Sequence, residues 1–508
     1  MINASNTQIK TIAIAGGGTA GWMTAAALSR VLQPQNVKVI LVESEQIGVI
    51  GVGEATLPGI ADFNRMLGID EAEFLKATKA TFKLGIEFID WGRLGDSYFH
   101  PFGAHGVDMN GIDFHQYWLH SRAAGNKKTL GDYSMCALTA KNAKFALPNS
   151  DPRSAASHLR YAYHFDATQY ALFLRQYAEK HGVIRQEGKI IDVFQDHTSG
   201  DITGLSLESG QKIEADFFFD CTGFYAHLID KTLSTPYKDW SHWLPCNSAQ
   251  AVASERTEPL LPFTKSIAKT AGWQWRIPTQ HRTGNGHIYC TDFMSDAEAN
   301  KDLLDGLDAK PVGDARTIRF TTGCRDNFWV KNCVSIGLSS GFLEPLESTS
   351  IHLIQRAITN FISLYPTANT SGIVRNEYNR LMTKEFEQVR DFIILHYKAT
   401  QRDDSEFWKY CANMPIPASL QHKIDLFKAA GRISFVDGEL FTRSNWVPVM
   451  IGQNIIPEIS DPILADISSS DIQKSLLSMS NAMEKAVGDM PGHAEFIQHY
   501  LQSKTTNG

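Results

Sequence analysis

The segment IKTIAIAGGGTAGWMTAAALSRVL, near the start of the chain, limits the fold more than any other. An apolar run over residues 12–15 leads into Gly16-x-Gly18-x-x-Gly21, and an Ala- and Leu-rich stretch follows at helical spacing. A second apolar run, NVKVILVE, ends in Glu43, 22 positions beyond Gly21 (43 − 21). Such glycine spacing alone is common. With a strand before it, a helix after it and an acid at that distance, it is the pattern of a dinucleotide-binding βαβ unit. The glycines let the backbone at Gly16, Gly18, Thr19, Ala20 and Gly21 close on a pyrophosphate at the helix N-terminus, while Glu43 accepts from a ribose hydroxyl.

More apolar runs lie far along the 508 residues. KIEADFFFDCTGF reads as a buried strand over 217–220 ending in a small-residue turn, and CVSIGLSSGF as another that enters a turn at 337–341. Both can complete the sheet begun at the N-terminus. The expected fold is therefore α/β: a Rossmann-like, FAD-binding fold of the flavin-monooxygenase type with an interleaved substrate region. Helical patterns dominate late in the chain, which predicts a core over 1–375 and a mainly helical region over 376–508 that closes the substrate site. A net charge of −7 leaves no basic surface for nucleic acid. No apolar run reaches the roughly 20 residues of a membrane span, and MINASNTQIK lacks the apolar core of a signal peptide. The seven cysteines include no CxxC pair, which points to a cytoplasmic protein without a metal site.

In TAGWQWRIPTQHR, alternation puts Trp273, Trp275 and Ile277 on one face of a strand that Pro278 ends. Taken alone, it is a core strand. Together with the glycine motif, however, GVGEAT (51–56), WQWRIP (273–278) and EPLESTS (344–350) follow in an order and spacing that resemble the flavin-dependent tryptophan halogenases. The likeness runs to about residue 410 and takes in FKLGIEFIDW, YFHPFG and YHFDA; WxWxIP is the signature of that family. The resemblance implies that Trp273, Trp275, Ile277 and Pro278 lie beside the flavin on the way to the substrate. It also adds Gly53, Ala55, Gly337 and Leu338 to the FAD site.

The resemblance implies a chemistry as well. Reduced FAD from a separate NAD(P)H-dependent flavin reductase reacts with O₂ to a C4a-hydroperoxide, which chloride or bromide attacks. The hypohalous acid formed passes to an electron-rich aromatic ring. Such an oxidant must be kept from water and aimed at one carbon, with an acidic donor to polarise it and an anion to take the ring proton. The family match picks Lys83 as donor, where a helix predicted over 71–82 gives way to an alternating strand. Lys76 and Lys79 share that helical face, and Lys79 is the reserve. Glu347 is the anion, just ahead of an amphipathic helix whose natural N-caps are Ser348 and Thr349, with Glu344 as the alternative. Around that helix start, Ser348, Thr349 and Ser350 form the expected halide site, the Thr349 and Ser350 amides facing the anion. The family usually has glycine where this chain has Ser350.

His100 and Phe102 match positions that pack on the substrate indole in the family, and Trp446 is a candidate aromatic wall. The tyrosine-bearing lid that holds the amino-acid end of tryptophan has no counterpart in KAAGRISFVDGELFTRSNWVPVMIG, where Glu439 and Arg443 are the available charges. Free indole or an indole-like compound is thus as good an expectation as tryptophan. Two other readings use the same framework, an FAD-dependent aromatic monooxygenase (a hydroxylase) and a flavoprotein without catalysis. A homodimer is compatible with each.

Overall fold

The computed structural model describes residues 9–46, 54–366, 372–436 and 438–505. The chain forms two compact units, each assembled from three stretches. The first comprises Met1–Lys79, Phe165–Ser241 and Phe320–Glu387; the second comprises Ala80–His164, His242–Arg319 and Gln388–Gly508. The interleaving expected from the scattered apolar runs is therefore present. A single boundary at 375 does not describe it, because packing joins stretches that are distant in sequence.

In the first unit a six-stranded sheet runs in the order Trp329–Val330, Cys333–Ser335, Phe217–Asp220, Thr11–Ala15, Lys38–Glu43, Ile184–Glu187. Thr11–Ala15 is central and parallel to both neighbours, pairing Ile14 with Phe219 on one side and with Leu41 on the other. Strands covered on both faces read as unbroken apolar runs, which is why these segments stand out in the sequence. Alternate residues separate the two faces. Ala13, Ala15, Val42 and Phe218 join Leu205 and Ile213 of a small antiparallel sheet in one core cluster. Phe217 and Phe219 point the other way, onto Phe361 of the helix Ser350–Ser363, at ring distances of 5.2 and 4.8 Å.

In the second unit a seven-stranded sheet runs in the order Pro311–Arg319, Ser248–Glu255, Arg282–Tyr289, Gly272–Pro278, Thr264–Lys269, Gly85–Ile89, Ser97–Pro101. The tryptophan strand Gly272–Pro278 is interior, antiparallel to both neighbours and buried at every residue. Trp273 and Trp275 share a face, their rings 6.0 Å apart, and Trp273 packs 6.4 Å from Trp91. The opposite face carries Gln274 and Arg276, which donate to the carbonyls of Asp302 and Gly306 at the end of the helix Asp296–Asp305. Trp275 lies over its cross-strand partner Gly286, where a Cβ would stand 2.0 Å from the indole. Late in the chain the elements are helices, among them Ala418–Ala430, Arg443–Gly452, Ser469–Gly488 and His493–Thr505. No helix among the described residues is long and apolar enough to cross a membrane.

Candidate functional site

The glycine motif lies in the first unit, between the central strand and the helix Thr19–Leu32. Gly16 has φ +105°, donates its N–H to Val42 O at 2.8 Å, and would bring a Cβ to 2.3 Å from Cys221 O. No other residue fits there. The first bond within the helix runs from Trp22 N–H to Gly18 O, and the cap residue Gly18 has no side chain to serve the N–H groups of Thr19, Ala20 and Gly21. These donors sit at the positive end of the helix, and a Cβ on Gly18 would meet nothing within 4 Å. An open, donor-lined helix start fits the diphosphate of a dinucleotide. Gly337 comes to the same place from far along the chain: it has φ +78°, and a Cβ there would stand 2.8 Å from that of Ala20. Leu338 follows it in a short turn, and Ala55 is buried. Gly53 lies outside the described residues. Glu43 is engaged within the protein and keeps acceptor positions on both oxygens. Arg185 Nε donates to its Oε1 at 2.5 Å and Trp22 Nε1 to its Oε2 at 3.2 Å.

Lys83 belongs to the second unit and lies on a strand. The predicted helix over 71–82 stops at Thr78, and Lys79 ends it in the left-handed conformation (φ 56°), its N–H turned back to Leu75 O. Lys76 and Lys79 are exposed, whereas Lys83, last residue of the strand Thr81–Lys83, is fully buried. The helical face that the lysine spacing suggested does not exist. Alternation along this strand sends Phe82 into an aromatic cluster, stacked on Phe145 at 4.0 Å, while Lys83 Nζ lies 4.9 Å from the centroid of the Phe102 ring. Thr81 ties the strand to the end of the tryptophan strand through a 2.6 Å bond from its Oγ1 to Pro278 O. His164, opposite Thr81, is buried between Thr81 Oγ1 and Thr264 Oγ1. Burial, and then the Lys83 charge, hold it well below the ordinary imidazole range and so neutral. Sequence reasoning missed His164, although it stands in the quoted motif YHFDA.

Glu347 ends a short 3₁₀ turn, Pro345–Glu347, and both it and Glu344 are fully buried. Ser348 follows in the left-handed conformation (φ 61°), and the helix Ser350–Ser363 begins two residues later. The capping expectation is corrected here. Thr349 occupies the cap position, but its side chain makes no capping bond, and Ser348 closes the preceding turn instead. The first amides of the helix therefore keep their N–H groups unsatisfied by any cap side chain, as an anion site requires.

His100 and Trp446, the other expected substrate residues, also belong to the second unit. His100 is buried, faces Phe392 edge-on at 5.6 Å, and lies 3.0 Å from Asn445 Nδ2 through its Nε2. Trp446 is buried against Phe392, with ring centroids 4.8 Å apart. The two charges taken as available are not. Arg443 binds Asp108 at 2.6 Å and also Asp113, and Glu439 binds Lys423 at 3.2 Å. No local pattern could have shown these pairs. His105 was also missed: burial, followed by His100 and His115, lowers it to about 3. Its buried Nε2 has no hydrogen-bond partner among the described residues. It stands between two glycines in FGAHG, a signal that was available.

A family model described as tryptophan halogenase matches residues 11–469. A tryptophan 6-halogenase of Streptomyces albogriseolus is 35% identical over 506 residues, spanning 92% of this chain and 94% of that protein. Among solved structures, a flavin-dependent halogenase from Xanthomonas campestris superposes with a TM-score of 0.94 at 43% identity, covering 97% of this chain and 98% of the other. One from Brevundimonas sp. BAL3 gives a TM-score of 0.94 at 41% identity, covering 97% and 99%.

Proposed function

The chain belongs to the tryptophan halogenase family, and from that premise we propose that Lys83 and Glu347 direct halogenation to a neutral, electron-rich ring, indole or an indole-like compound. It is a flavin-dependent halogenase of an aromatic substrate, in which reduced FAD with O₂ supplies the oxidising power that turns halide into hypohalous acid. The residues to hold FAD are Gly16 to Gly21, Glu43, Ala55, Gly337 and Leu338. A separate flavin reductase supplies it reduced, since the sequence contains one dinucleotide fingerprint.

The observation that carries the reading is a lysine with no solvent exposure whose ammonium lies over an aromatic ring at 4.9 Å. The strand end carries this ammonium out of solvent and over Phe102, where a proton donor shielded from water has to stand. Lys83 holds a proton at Nζ for the hypohalous oxygen, which makes the halogen electrophilic, and Phe102 excludes water beside it. Glu347 takes the proton that the ring gives up, and the Thr349 and Ser350 amides hold the halide. Hydroxylation would need neither Lys83 nor Glu347.

The preference for a neutral ring rests on charge pairing. Free tryptophan brings an ammonium and a carboxylate, each of which costs several kcal/mol if desolvated without a partner. Arg443 and Glu439 already have partners within the protein. His100, Phe102 and Trp446 offer an indole stacking surfaces alone. The test is product mass spectrometry with bromide or chloride, FAD and an added flavin reductase, comparing initial rates on indole and tryptophan. Indole should turn over faster, and Lys83→Ala should lose halogenation while flavin reoxidation continues. Faster tryptophan turnover, or a halogenating Lys83→Ala protein, would refute the assignment.

A further inference from the structure

Glu43 is built into a charge cluster that the dinucleotide motif does not require. Arg185 reaches its Oε1 at 2.5 Å through Nε and, through Nη2, holds Glu45 at 3.0 Å and Glu187 at 2.5 Å. Arg175 stands 3.7 Å from the same Oε1, and Trp22 closes on Oε2. The carboxylate lies across the glycine turn: a Cβ on Gly17 would stand 1.6 Å from Oε2. This accounts for a third glycine at a position the motif leaves open. Arg185 is largely buried, its side chain 15% exposed.

We propose that Arg185 is a positioning residue for the adenosine end of FAD, acting through Glu43; the proposal rests on the reading of this cradle as the flavin site. Three carboxylates gather on one guanidinium beside the helix start where the diphosphate belongs. Without Arg185 the three would repel each other, and Glu43 would be pushed off the turn. With it, the carboxylate is fixed over Gly17. An ionised carboxylate has about four acceptor positions, so the bonds from Arg185 and Trp22 leave room for ribose hydroxyls.

The experiment measures binding of oxidised FAD and of FMN, which lacks the adenosine, by quenching of protein fluorescence. Arg185→Gln should weaken FAD about tenfold, the scale of one charge-assisted hydrogen bond, and leave FMN unchanged. Arg185→Lys, which keeps the charge and the fold but not the fork of donors, should fall between. In a Glu43→Gln background the Arg185→Gln change should have no further effect, because its action runs through that carboxylate. Unchanged FAD affinity in Arg185→Gln, an equal loss for FMN, or a second tenfold loss in the Glu43→Gln background would each overturn the proposal. A native protein that binds no FAD would instead bring down the flavin reading beneath it.

Discussion

His493 joins the last helix to the strand that carries Lys83, and its protonation should loosen that join. It is the first residue of His493–Thr505 and is buried. Its Nε2 accepts the Phe82 N–H at 3.2 Å, so Nδ1 carries the proton and donates to Leu260 O at 3.1 Å. A second proton would be driven against the Phe82 N–H. Burial accordingly lowers the imidazole from 6.5 to about 4. In the unfolded chain the group titrates near its ordinary value, so between these limits the unfolded state binds more protons and stability falls as pH falls. The contribution is present above the unfolded pKa and is lost progressively down to the folded one. From about pH 7 to about pH 5 the loss from this residue is about 2 kcal/mol. His287, also lowered to about 4 by burial, adds a loss of its own that a change at His493 leaves in place. The assay is urea unfolding followed by tryptophan fluorescence at both pH values, for the native protein and His493→Asn, which keeps a donor and an acceptor but does not titrate. The variant should lose about 2 kcal/mol less than the native protein on acidification. An equal loss in the two would refute the account of His493 as a neutral buried link.

Gly286→Ala should destabilise by about 1–3 kcal/mol, because its Cβ would stand 2.0 Å from an indole confined inside a sheet; a lower urea midpoint checks this. Gly18→Ala should behave in the opposite way, since its Cβ meets nothing within 4 Å: stability close to native, but weaker FAD binding by fluorescence titration. Thr349→Val keeps the side-chain volume and removes a buried hydroxyl oxygen with no hydrogen-bond partner among the described residues. Its cost should stay below about 1 kcal/mol, and a loss typical of a removed helix cap would show that the hydroxyl serves the helix after all.

Wherever spacing along the chain was the whole signal, the sequence was legible. Phe217–Asp220 stands where its apolar run placed it, and Trp273 and Trp275 share the face that alternation assigned them. The helix that should have run on to 82 shows how such a signal misleads. Lys76, Lys79 and Lys83 are spaced like neighbours on a helix, yet Lys79 turns left-handed and the chain leaves as a strand. Nothing in the side chain of a lysine announces a residue that usually favours glycine. Arg443 and Glu439 misled for a different reason. A charge looks available in a sequence whenever its partner is distant, and Asp108 and Asp113 lie more than 300 positions from Arg443.

By itself the sequence determined the periodicities and the glycine turn, because each is a short-range pattern imposed by backbone geometry and sterics, and it carried the motif set by which the chain resembles the flavin-dependent halogenases. Tertiary structure alone decided where each charge is held and by what. Arg185 is committed to Glu43, Arg443 to two aspartates, and Lys83 is buried over Phe102. Pairing and desolvation depend on distance in space and on what excludes water, and neither is written in the order of residues along a chain.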